Sequence, residues 1–153
     1  MKNNKQAIFL IIALLLLGID RVTKVLVDTT LTLNQHFVVI KDILSLEKLY
    51  NTGAAFSMLQ NSTFLLILIA FLVILLVLFY VFKCSEKISM LEISALGFIT
   101  GGAIGNLLDR LLHYYVVDFI QLDFINFPVF NFADIFINIG VIILIVSIIL
   151  NRK

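Results

Sequence analysis

Between Thr63 and Phe82 the chain reads TFLLILIAFLVILLVLFYVF, twenty residues without one charged side chain. A helix rises about 1.5 Å per residue, so this run matches the ~30 Å hydrocarbon core of a bilayer. Working outward from it, three further stretches have similar length. Residues 88–108 carry Glu92 and the small residues Gly101, Gly102, Ala103 and Gly105. Residues 6–27 are uncharged as far as Ile19 and then bring Asp20, Arg21 and Lys24. Residues 133–150 are apolar apart from Asp134 at their start. The expected fold is an all-α membrane protein, a four-transmembrane-helix bundle with a small extracytoplasmic β-cradle. It is expected to form a single domain over residues 1–153.

Composition agrees. Apolar residues make up 61% of the chain and charged residues 14%, against about a quarter charged in an ordinary soluble domain. A globule of 153 residues has too much surface to hide that apolar fraction. The net charge of +1 provides no basic field for nucleic acid, which is not expected as a partner. Cys84 alone excludes an intramolecular disulfide, and His36 and His113 have no metal-ligand spacing, so neither a metal nor another cofactor is expected. Lys2 and Lys5 before an apolar run would suit a secretory signal. Asp20 and Arg21 follow it where a small-residue cleavage site would stand, so residues 6–27 read as a retained helix.

Basic residues set the orientation. Lys2, Lys5, Lys83, Lys87, Arg152 and Lys153 flank the two ends and the turn between the second and third spans. The positive-inside rule places those three regions in the cytoplasm. Lys41 and Lys48 oppose this from a longer outer loop, with Arg21, Lys24 and Arg110 near helix ends. The bias grows if the last three have pairing or site roles. Two outer segments remain. Residues 28–61 hold β-leaning runs at Thr29–Leu33 and Phe37–Ile40, which read as a small sheet resting on the membrane surface. Residues 109–131 hold Tyr114-Tyr115-Val116-Val117 and the Phe127-Pro128-Val129-Phe130 turn, where Pro128 forbids a helix.

Ionisable groups in or near a bilayer cost several kcal/mol unless paired or wet, so their placement is informative. Here they converge at the outer ends of the helices: Asp20, Arg21 and Lys24, then Asn106, Asp109 and Arg110, then Asp118, then Asn131 and Asp134. Each has a bland reading. Asp20 and Lys24 are spaced to pair along one helix face. Asn106 and Arg110 share that spacing and suit a helix–helix tie as well as substrate positioning. The glycine run suits close helix packing. Glu92 reads as a snorkelling carboxylate, His113 as an interfacial residue, and Asn51 as a turn residue. Asp134 suits a helix dipole, whereas Asp118, between Val117 and Phe119, lies in apolar company that raises a carboxylate's pKa. Two such carboxylates held together share a proton, and one serves as base towards a bound water. On the residues alone this reading stands level with a proton or cation pathway, and a structural membrane subunit is a third reading.

Five blocks carry a resemblance. They are Asp20-Arg21-Val22-Thr23-Lys24, Asn51-Thr52-Gly53-Ala54-Ala55-Phe56, and the run from Gly101 to Arg110. Val117-Asp118-Phe119 and the run from Phe127 to Asp134 complete the set. In that order, over nearly the whole chain, the sequence resembles lipoprotein signal peptidase, the bacterial signal peptidase II. The resemblance implies a four-span aspartic endopeptidase with its active site near the outer membrane face. Such an enzyme removes the signal peptide of diacylglyceryl-modified prolipoproteins, cutting before the lipidated cysteine. It implies Asp118 and Asp134 as the catalytic dyad, with Asp20, Lys24, Asn51, Gly53, Asn106, Asp109, Arg110 and Asn131 shaping the site or binding substrate and lipid. It further implies inhibition by globomycin-type cyclic peptides at that site, and a monomer is expected. The chain departs from the pattern at Arg21, where the family has Gln, and at Ile135, where a small or hydroxyl residue is common.

Overall fold

The computed structural model describes residues 2–53 and 62–150, the side chains of Lys2 and Asn3 excepted. Ala54, Ala55 and Phe56 of the second block, and Arg152 and Lys153 of the orientation argument, lie outside the described residues, as does the Lys2 side chain. Within them the chain runs α1 (Lys2–Thr30), β1 (His36–Ile40), β2 (Leu44–Asn51), α2 (Thr63–Cys84), α3 (Met90–His113), β3 (Val116–Leu122) and α4 (Phe132–Leu150). Among the described residues α2, α3 and α4 are long and apolar enough to cross a membrane. The expected first span lies within α1, which is 29 residues long.

α3 is the central helix and packs against α1, α2 and α4. Its glycines make this possible. A methyl group on Gly101 would stand 2.8 Å from the Ala13 carbonyl oxygen of α1, and one on Gly102 would overlap the Ala133 carbonyl of α4. On α4, Gly140 faces the Ala95 carbonyl oxygen in the same way. Small residues let backbones meet where no hydrophobic effect drives helices together. α2 behaves oppositely: only 11% of its most apolar stretch is buried, against 61% for α3. It presents side chains such as Phe64, Phe71 and Phe79 outward, as a helix in hydrocarbon does. Phe9, Val81, Ile88, Ile93 and Leu96 close the bundle at the α2–α3 turn.

At the other end lies a three-stranded antiparallel sheet of order β1-β2-β3. It covers a second apolar cluster of Val27, Val117, Phe119 and Ile120. The strand expected at Thr29–Leu33 is absent: α1 continues through Thr30, and the chain then turns. The Thr29 and Thr30 hydroxyls donate back to the Val25 and Leu26 carbonyls, so hydroxyl side chains that favour strands instead join the helix backbone. The cradle gains β3 from the second outer segment, which had no strand assigned. Glu92 also departs from expectation. α3 begins at Met90, Ser89 is its N-cap, and the Glu92 side chain accepts from the Ser89 N–H at 2.8 Å in a capping box.

Candidate active site

Asp118 lies near the start of β3, opposite Leu49 of β2. Asn51, two residues along the same face of β2, reaches it diagonally. The Asn51 Nδ2 donates to Asp118 Oδ2 at 2.8 Å, while its Oδ1 accepts the Gly53 N–H at 2.9 Å. Asn51 is thus both the turn residue expected and a partner of the carboxylate. After Pro128 the chain returns beside β3, where Ile120 and Phe130 exchange N–H···O bonds of 2.7 and 3.0 Å. That bridge delivers Asn131 to Asp118, whose Oδ1 accepts from Asn131 Nδ2 at 2.5 Å.

Asn131 also immediately precedes α4 and is tied to Asp134 by reciprocal bonds of 3.1 Å. The Asn131 N–H donates to Asp134 Oδ2, and the Asp134 N–H donates to Asn131 Oδ1. This is capping-box geometry with an aspartate as the acidic member. The dipole reading of Asp134 and its membership of the polar cluster therefore hold together. Asn106 Nδ2 of α3 donates to Asp134 Oδ1 at 2.8 Å. Both carboxylates are served by asparagine N–H groups, and Asn131 touches both.

Behind this pair lies a buried ion cluster. Lys24, 1% exposed, contacts Asp20 Oδ2 at 3.0 Å, Asp109 Oδ2 at 2.9 Å and Asn106 Oδ1 at 2.8 Å. The expected Asp20–Lys24 pair exists and does more than link two neighbours on one helix. Asp20 Oδ1 also accepts the Ala133 N–H at 3.1 Å, tying α1 to the first turn of α4. Arg21, the departure from the family pattern, pairs with Asp109. Opposite charges at the outer ends of α1 and α3 were the available sign of that pair. Arg110 donates from Nη2 to the Gly53 carbonyl at 3.0 Å and from Nη1 to its own helix at the Asn106 carbonyl, 3.3 Å. Its Nε is buried with no hydrogen-bond partner among the described residues. His113 is exposed, its ring 5.6 Å from Tyr115.

All ten residues assigned from sequence fall into this one connected region. Asp118 is 2% exposed, and burial first, then the neighbouring Asp134 charge, push its pKa up to about 7. A buried acid beside a second carboxylate that accepts hydrogen bonds on both oxygens is the arrangement acid–base hydrolysis requires. The charges gather at one end of the bundle, which gives no support to a route across the bilayer.

Known proteins carry the same architecture. One solved structure, described as a bacterial membrane enzyme at 2.3 Å resolution, superposes with a TM-score of 0.89 and 29% identity, covering 95% of this chain and 89% of its own. Another, likewise a bacterial membrane enzyme, at 1.9 Å resolution, gives 0.83 and 30%, covering 92% and 91%. The fold therefore defines a bacterial membrane enzyme. The signal peptidase (SPase) II family model matches residues 12–150. A lipoprotein signal peptidase of Fusobacterium nucleatum is 42% identical over 95% of this chain and 89% of its own length, and one of Clostridium tetani is 44% identical over 90% and 91%. The chain belongs to the signal peptidase II family and is a protease of that type.

Proposed function

We propose that this protein is a single-domain, four-span aspartic endopeptidase that removes signal peptides from diacylglyceryl-modified prolipoproteins, cutting before the lipidated cysteine. The observation that carries the reading is the pair Asp118 and Asp134, joined through Asn131 and supplied with asparagine donors on every carboxylate oxygen. Asp118 holds the shared proton, since burial favours its neutral form. Asp134 takes a proton from a water as that water attacks the scissile carbonyl, and Asp118 polarises the carbonyl oxygen. Arg110, whose Nε has no partner among the described residues, offers a donor to the substrate backbone.

α1, with its apolar half and its buried outer charges, supplies the fourth span. Both termini and the α2–α3 turn face the cytoplasm, and the sheet faces outward. The substrate's acyl chains and helical signal peptide stay in lipid while the scissile bond reaches the cluster from the side. Globomycin-type cyclic peptides compete for the same place. One chain supplies every residue of the cluster, which supports action as a monomer.

The test is a gel-shift assay in detergent micelles on a diacylglyceryl-modified prolipoprotein. Wild type is expected to cleave and to be blocked by globomycin. Asp118→Asn and Asp134→Asn should each lose about 10²–10⁴ in rate while remaining folded. The double variant should be no worse than either single, because the pair acts as a unit. Cleavage by either folded single variant at wild-type rate would overturn the dyad.

A further inference from the structure

Three asparagines surround the dyad, and an asparagine amide can face either way unless something fixes it. A carbonyl oxygen turned to a carboxylate would repel it, whereas an NH2 group donates to it. Two of the three are held by backbone. Asn51 Oδ1 accepts the Gly53 N–H, and Asn131 Oδ1 accepts the Asp134 N–H. Among the described residues Asn106 has no backbone donor on its oxygen. Its Oδ1 receives Lys24 Nζ at 2.8 Å and Asn131 Nδ2 at 3.2 Å. An ammonium only donates, so Asn106 beside Lys24 must present oxygen to α1 and NH2 to Asp134.

We infer that Lys24 is a positioning residue for catalysis: by fixing the Asn106 amide, it keeps an N–H donor aimed at Asp134. This deepens the aspartic peptidase reading and rests on it. Lys24 has three N–H bonds, and each has a buried oxygen partner, Asp20, Asp109 or Asn106. The ammonium is therefore held in place from both α1 and α3, and Arg21 completes the charge balance by pairing with Asp109. With two anions and two cations the cluster is neutral, and Lys24 both balances Asp20 and Asp109 and sets where its hydrogens point. In its absence the Asn106 oxygen would keep Asn131 Nδ2 as its one partner among the described residues, and Asn131 is itself bonded to Asp118 at 2.5 Å.

The experiment compares purified wild type, Lys24→Met, Asn106→Asp and the double variant, measuring kcat and KM on the lipidated prolipoprotein together with thermal unfolding. Lys24→Met is expected to lower kcat about 10²-fold with KM changed by less than about threefold, the scale of a misplaced catalytic group. Asn106→Asp keeps an acceptor for Lys24 but replaces the amide donor to Asp134 with a second carboxyl group, so it should lose kcat to a similar extent. The double variant should lose no more than Asn106→Asp alone, because Lys24 acts through that amide. Multiplying losses, or unchanged kcat in a folded Lys24→Met, overturn the proposal. If Lys24→Met does not fold, full kcat in Asn106→Asp overturns it equally. Absence of cleavage by wild type sinks the peptidase reading itself, an outcome distinct from the others.

Discussion

Asp118 shows how one side chain couples burial to chemistry. Its pKa lies about 7 against 3.8 for a free aspartate, so the folded protein binds this proton more tightly than the unfolded chain does. The associated stability is fully present below pH 3.8 and is lost as pH rises through about 7. Asp118→Asn removes that dependence. Its unfolding temperature relative to wild type should therefore climb steadily between pH 4 and pH 8, with a free-energy span of up to ~4 kcal/mol. A flat difference would show that the carboxylate is not buried as described. In the proposed mechanism the acid form of Asp118 is the active one, so kcat should also fall on the alkaline side with a midpoint near 7. At this scale the sequence was most legible where apolar neighbours flanked a carboxylate, as at Asp118. It was least legible where a charge had a distant partner: Arg21 meets Asp109 across 88 positions, a pairing with no trace in local spacing. The Ser89–Glu92 spacing, by contrast, does carry a capping-box signature, which the snorkelling reading of Glu92 overlooked.

α2, α3 and α4 were legible because apolar length alone identifies them. Helix ends were not, since hydrogen bonding at the termini decides those: α1 runs on through Thr30, and α3 starts where Ser89 caps it. The glycine run announced close packing but not which faces meet. Gly101 meets α1, whereas Gly102 meets α4 and Gly105 meets the Asp20 carboxylate. Gly102→Ala should consequently act on the α3–α4 contact that holds Asn106 against Asp134. The added methyl meets the Ala133 backbone, which cannot rotate aside, so a loss of about 1–3 kcal/mol in stability is expected. Activity should fall with it. An equally stable, fully active Gly102→Ala protein would contradict the described helix contact. The third strand was hidden for a different reason: β3 is buried on both faces over its first five residues and so lacks the alternation that marks a half-exposed strand.

Orientation is a property of the whole molecule, and of the basic residues that oppose the proposed one, all but Lys41 have partners among the described residues. Lys48 is not a free outer lysine: its ammonium binds the Asp28 carboxylate at 2.8 Å and the Asp28 and Leu31 carbonyls at the end of α1. It caps a helix, and the favourable pairing with Asp28 holds its charged form despite burial. Arg21, Lys24 and Arg110 are likewise engaged. With Cys84→Ser as background, Lys41→Cys should react with an impermeant maleimide added to intact spheroplasts. Glu86→Cys should react only after the membrane is opened. The reverse pattern would invert the proposed topology.

The dyad and its supports are divided by the α2–α3 turn. Asp20, Lys24 and Asn51 precede it, and Asn106, Asp118, Asn131 and Asp134 follow. During translation the ribosome therefore releases half of a site, then the other half, and Asp134 last. A nascent chain, half threaded into a membrane crowded with hydrophobic signal sequences, is chemically silent towards them. In the proposed mechanism it gains its second carboxylate only when its final helix docks, so its latency during synthesis is set by the order of residues along the polypeptide.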